Sequence, residues 1–257
     1  MKIKRILFSQ NRPENIEKSN YAELVKKYGV QLDFFKFFSI EEIPFAEFRK
    51  SHINILDYSS IIMTSKNAVD HFFRMVKDSK IVLPISTKYF CSNQSIALYL
   101  QKYVTYRKRK IFFPEDATVQ SLVTEIEHHQ EVDNFLVPCS SDSSLNQLLQ
   151  LLDAKKTIRY TRAELFKMEF PVLPEHINIY DYDMVVLFSP YGVQALFQSY
   201  PDFEQPEHMI IATSGKRVLE MALEAGLKVE VWAPQEPNIT SIFTALDQFL
   251  HRTNRRH

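Results

Sequence analysis

Short apolar runs alternate along this chain with stretches whose apolar residues recur every third or fourth position. That is the pattern of buried strands alternating with amphipathic helices. KIKRILFS at 2–9 reads as a strand with a polar exit, and a helix over 15–28 follows, ended by a left-handed cap at Gly29. VQLDFFKFF, from Val30, reads as a second strand, and 39–50, with Pro44 and several charges, reads as a connection. A strand-and-helix unit at 55–77 is followed by a strand near 88–92, a helix at 94–103, a strand at 110–113 and a helix at 117–129. FLVPCSS at 135–141 is a strand ending in hydroxyls, and a helix at 143–152 and a strand-like piece at 158–168 come next. A second strand-and-helix unit begins at 182, then a strand at 209–214, a helix at 215–225, a strand at 227–233 and a helix at 238–251. Such alternation predicts an α/β fold built on parallel sheets covered on both faces.

One unit occurs twice. DYSSIIMTSKNAVDHFF from Asp57 returns as DYDMVVLFSPYGVQALF from Asp181, and Asp57/Asp181, Tyr58/Tyr182, Ser65/Ser189, Val69/Val193 and Phe73/Phe197 share one offset, 189 − 65 = 124. A constant offset points to duplication, because chance similarity drifts out of register. Counting strands gives five in the middle block and three after the second repeat, and the two N-terminal strands bring the latter to five. The expectation is therefore two doubly wound lobes. Residues 1–38 with 170–257 form the first, and 39–169 form a lobe inserted in it, with chain crossings near 38–50 and 165–178.

Composition narrows the function. The 257 residues are 45% hydrophobic and include 20 Phe, enough for two cores. Thirty-one basic residues balance thirty-one acidic ones, which disfavours nucleic-acid binding through bulk positive charge. No run approaches the roughly 18 apolar residues of a membrane span, and the apolar stretch near the start is too short for a signal peptide. Cys91 and Cys139 offer neither a disulfide framework nor a CxxC pair. A cytoplasmic protein without nucleic-acid or membrane partners is expected.

The four glycines, Gly29, Gly192, Gly215 and Gly226, cannot spell GxGxxG or a Walker loop. Gly29 and Gly226 fit helix caps, whereas Gly192 and Gly215 fall at strand-to-helix turns where backbone can approach a ligand. Hydroxyl residues recur at strand exits: Ser9, Thr64 and Ser65, Ser92, Ser140 and Ser141, Ser189, Thr213 and Ser214. Their ordinary role is helix capping, and their functional role is to present amides and positive helix ends to carboxylates; the two are compatible. A serine nucleophile is disfavoured, since GxSxG is absent. The eight histidines lack metal-ligand spacing and read as surface residues. RKRK at 107–110 reads as a solvated segment, with attraction of a polyanionic small molecule as its second reading.

Together these residues resemble the uroporphyrinogen-III synthase family over essentially the whole chain. IIMTSKNAV at 61–69 and VVLFSPYGV at 185–193 match its two strand-turn signatures, and IIATSGKRVLEMALEAGLKVEVWAPQEPNITSIFTAL matches its C-terminal one. The resemblance implies two flavodoxin-like lobes joined by two linker strands, no cofactor, no metal, and a monomer in transient contact with the preceding pathway enzyme. It implies cyclisation of hydroxymethylbilane to uroporphyrinogen III in an interlobe cleft, through azafulvene and spiro intermediates, with ring D inverted and water lost. Substrate contacts are expected at Thr64, Ser65, Lys66, Ser92, Ser189, Tyr191, Gly192, Ser214 and Gly215.

The chain also departs from the family. Phe166 stands where the resemblance expects a Tyr acid, Cys139 where it expects Arg, Ser92 or Cys91 where it expects Gly, and Val218 where it expects Thr. The general acid is left unassigned, with Tyr160 and Tyr191 as substitutes. The alternative reading is a non-catalytic bilobal binding or sensor protein.

Overall fold

The computed structural model describes residues 2–131, 133–142, 146–155, 157–171, 173–174, 177–235 and 238–254. The chain divides into two compact units, Met1–Ser39 with Glu169–His257, and Ile40–Met168.

The first unit holds a five-stranded parallel sheet. Its strands are β1 (Arg5–Phe8), β2 (Gln31–Phe34), β9 (Met184–Leu187), β10 (Ile210–Ser214) and β11 (Val229–Ala233), in the order β11-β10-β9-β1-β2. The strands are near-continuous apolar runs because both faces are covered. Ile6, Phe8, Met184, Val186, Ile210 and Ala212 face α1 (Asn20–Tyr28) and α9 (Ile242–Asn254), against Tyr21, Leu24, Leu246 and Leu250. The alternate positions Leu7, Val185, Leu187 and Ile211 meet α7 (Pro190–Ser199) and α8 (Lys216–Glu224), against Val193, Leu196, Val218 and Ala222. Phe8 is wholly buried among the rings of Tyr21, Phe34 and Phe188, so Phe8→Ala costs about 3–5 kcal/mol.

The second unit holds a six-stranded sheet. Its strands are β3 (Ser39–Glu42), β4 (Ser60–Met63), β5 (Lys88–Cys91), β6 (Ile111–Phe112), β7 (Phe135–Ser140) and β8 (Tyr160–Glu169), in the order β3-β8-β7-β4-β5-β6. Ile62, Phe90, Phe135 and Val137 pack against α5 (Val119–Glu127) and α6 (Gln147–Ala154). After β4 comes α3 (Lys66–Asp78), which packs with α4 (Gln94–Leu100).

The duplication is visible residue by residue. A 3-10 turn capped by Asn54 precedes β4, and one capped by Asn178 precedes β9; β4 spans 60–63 and β9 spans 184–187, each shifted by 184 − 60 = 124. Gly29 and Gly226 take φ values of 66° and 84° just past their helices, as the sequence predicts.

Several expectations need correction. The helix expected from residue 15 starts at Asn20, because Ser19 is extended (φ −118°) and only a 3-10 turn, Ile16–Lys18, precedes it. The second strand stops at Phe34. Residues 39–50 are not a bare connection but β3, the short helix α2 (Phe45–Phe48) started after Pro44, and a 3-10 turn; among the described residues the middle block thus has six strands, not five. The last helix starts at Ile242 rather than 238, since Gln235 and Ile239 form an antiparallel bridge and Ser241 accepts from the Thr244 amide. The expected helix start at 143–145 and the tail at 255–257 lie outside the described residues.

Candidate active site

In the first unit, counting strands in chain order, the sheet runs 2-1-3-4-5, and the order reverses between β1 and β9. The helix after β1 goes to one face and the helix after β9 to the other, which opens a crevice at their carboxyl ends; ligands of doubly wound sheets bind at such a reversal. A cavity of about 410 Å³ lies there, lined by Ser9, Gln10, Asn11, Lys36, Phe38, Phe188 and Ser189. Ser9 holds the two strand ends together: its amide donates to the Val186 carbonyl (3.0 Å) and its Oγ accepts from the Phe188 amide (3.2 Å). Ser189 caps α7, its Oγ accepting from the Gly192 amide at 3.1 Å. Tyr191 is the second residue of the same helix, with its ring 5.6 Å from that of Phe38.

Gly192 lies inside the first turn of α7, and a Cβ there would meet Ser9 Oγ at 3.5 Å, an ordinary contact. Gly215 differs: at φ 105° it turns the chain from β10 into α8, donating to the Ala233 carbonyl at 2.7 Å. Ser214 ends β10 next door, and the exposed Lys216 and Arg217 open α8.

The second unit repeats this design. Ser65 caps α3, its Oγ accepting from the Ala68 amide at 3.1 Å. The Ser92 amide donates to the Met63 carbonyl (3.0 Å) and its Oγ to the Thr64 carbonyl (3.1 Å), which fastens the ends of β4 and β5. The cap of α4 is Asn93, not Ser92. Lys66 Nζ lies 5.3 Å from the centre of the Tyr99 ring. Tyr99 and Tyr103 both donate to Asp70, with Lys102 at 3.4 Å. Burial alone would raise the Asp70 pKa, but those two phenol bonds and the ammonium outweigh it and hold the carboxyl below its usual range.

Thr64, Ser65, Lys66 and Ser92 are thus brought together in one unit, and Ser189, Tyr191, Gly192, Ser214 and Gly215 on neighbouring strand ends in the other. Sequence reasoning missed Lys36, Gln10 and Asn11. Their signal was a lone cation among the phenylalanines of DFFKFF and two amides directly after Ser9, which matters only once β1 and β2 are known to be neighbours.

Phe166 is 7% exposed and stacks on His71. Tyr160 opens β8 opposite Phe135, the first residue of β7, so it stands at the amino end of the sheet, away from Ser65 and Ser92. Its hydroxyl is bound to Asp153. Two histidines are not surface residues as expected: His71 is half-buried, and His129 packs against Phe90 and Phe112. Burial pushes the Cys91 and Cys139 thiols up to about 12. Among the described residues no group of three or more His, Cys, Asp or Glu gathers to hold a metal, and no helix is long and apolar enough to cross a membrane.

The family model described as uroporphyrinogen-III synthase HemD matches residues 19–244, most of the chain. The chain belongs to the uroporphyrinogen-III synthase family. That family consists of cyclising lyases of tetrapyrrole and heme biosynthesis, and the sequence resemblance is thereby confirmed. Among solved structures, a mutant uroporphyrinogen III synthase from Thermus thermophilus is similar at 14% identity and a TM-score of 0.69, covering 99% of this chain and 100% of its own. The Helicobacter pylori enzyme gives 14% identity and a TM-score of 0.55, over 97% of this chain and 100% of its own. The wild-type Thermus thermophilus enzyme gives 15% and 0.53, covering 98% of each chain. At these identities the likeness establishes the fold. No curated protein sequence matched the chain.

Proposed function

We propose that this family member closes hydroxymethylbilane to uroporphyrinogen III in the interlobe cleft implied by the sequence, with carboxylates received by the strand-end turns of both units. The observation that carries this reading is the paired turn. Ser65 and Ser189, 124 residues apart, each cap a helix whose first turn faces the carboxyl end of a parallel sheet, and each has a lysine at hand, Lys66 and Lys36. A helix N-terminus favours anions, and a hydrogen bond to a charged group contributes about 1.5–3 kcal/mol. The bilane closes to the uninverted isomer unaided, so the protein has only to favour one folded geometry. A hundredfold bias needs about 2.7 kcal/mol, the yield of one or two such bonds made only in the productive fold.

In the proposed sequence the hydroxymethyl C–O bond breaks and the oxygen leaves as water, giving the azafulvene. Ring D attacks through its already substituted carbon to form the spiro intermediate, which fragments, and ring D rejoins turned round. The one group transfer for which a side chain is needed is the proton to the leaving oxygen. Phe166 has none to give, and Tyr160 stands at the wrong end of its sheet. We assign the donor to Tyr191, in the first turn of α7 beside Ser189.

The test is a coupled assay fed with freshly made hydroxymethylbilane, separating type III from type I product. Type III from the wild type, with Tyr191→Phe slowed at unchanged KM, supports the reading. Type I alone, formed at the rate without protein, leaves the non-catalytic binding protein as the description.

A further inference from the structure

Val82 and Ile85, 89% and 75% exposed, are the two most exposed large hydrophobic side chains among the described residues. Both belong to the loop Ile81-Val82-Leu83-Pro84-Ile85 between α3 and β5. The Lys110 ammonium donates to the Ile85 carbonyl, so this loop is fastened beside Arg107, Lys108 and Arg109. Those three cations are exposed, and none makes an ion pair among the described residues. Loop and basic run border a groove of about 420 Å³ walled by Phe73, Tyr89 and Tyr103. The groove sits at the amino ends of β5 and β6, by Thr87 and Lys110, whereas Ser92 follows their opposite ends.

Bare aliphatic tips next to unpaired cations are the two signals by which a peripheral protein holds a charged lipid surface, each too weak alone. A protein partner would be met across a buried centre from which lysine is depleted, whereas Lys108 and Lys110 stand on this rim. We propose that this edge of the second unit docks on an anionic phospholipid bilayer. Val82 and Ile85 enter the headgroup layer while Arg107, Lys108 and Arg109 meet the lipid phosphates. The contact is peripheral and needs no spanning helix, and it revises the expectation of no membrane partner. It is independent of the chemistry proposed above.

Cosedimentation of the full chain with vesicles tests this, using phosphatidylcholine alone or mixed in equal parts with phosphatidylglycerol. The chain binds the mixed vesicles only, and less as salt rises. Lys108→Gln with Arg109→Gln weakens partitioning about fivefold per charge removed. Val82→Asp with Ile85→Asp abolishes it while leaving the unfolding midpoint and the yield of cyclised product unchanged, since both positions are exposed. No binding to the mixed vesicles overturns the proposal, as does equal binding to both kinds or full binding by the aspartate variant. Saturable uptake of decanoate without vesicle binding overturns it too, and assigns the groove to a free carboxylate.

Discussion

The rings of Phe166 and His71 lie nearly face to face, centroids 4.9 Å apart and planes 25° apart. They join β8 to α3 at the position where the family resemblance expects a phenol. His71 Nδ1 is buried with no hydrogen-bond partner, and the ring stacked on this imidazole, Phe166, has no polar atom to offer it. Burial first, then the nearby Arg74 guanidinium, lowers the His71 pKa, against weaker opposing pulls from Glu42 and Asp70.

That depression makes stability depend on pH. The unfolded chain takes up a proton near the usual value of about 6.5, where folded His71 still resists it, so the unfolded state binds more protons and stability falls as pH drops through and below that value. Urea unfolding between pH 7 and 5 will show the wild type losing more stability than His71→Phe, whose ring keeps the stack without titrating.

Removing the caps separates folding from binding. Ser65→Ala and Ser189→Ala each cost about 1 kcal/mol of stability through the lost bond to Ala68 or Gly192. Both also raise KM for the bilane more than they move the pH profile, because the helix end loses order where a carboxylate is proposed to sit. Kinetics equal to wild type for both would count against this placement.

The two glycines at these turns behave oppositely. Gly192→Ala meets only ordinary contacts inside a helix and stabilises the fold by up to about 1 kcal/mol, yet weakens substrate binding by taking space at the turn. Gly215→Ala, at φ 105°, destabilises by about 1–3 kcal/mol. Thermal melts with parallel KM measurements distinguish them.

Cys91 and Cys139 are buried, with thiols pushed up to about 12, so few thiolates form at neutral pH. Disulfide-exchange reagents will label neither in the native protein within the time that labels both in urea.

Where the sequence carried strong periodicity, the fold was legible. The interval between Ser65 and Ser189 recurs in caps, strands and turns, because each repeat is a local unit whose hydrophobic pattern sets its own geometry. The strand SIEE at 39–42 was not legible: half its residues are charged, and it becomes a strand only by lying beside β8. Capping at Asn93 rather than Ser92 escaped for a smaller reason. Either side chain can cap a helix, and what decides is that Ser92 is committed to the Thr64 carbonyl. Lys36 entered the site only through the adjacency of β1 and β2, a long-range pairing that no local pattern reports.

Both units are proposed to hold one linear tetrapyrrole at once. Affinity for a non-cyclising bilane analogue, measured by calorimetry for Lys36→Met and Lys66→Met singly and together, addresses this directly. Each change is expected to weaken binding, and the double variant to bind more weakly than either single one. An affinity insensitive to one of the two lysines would contradict this.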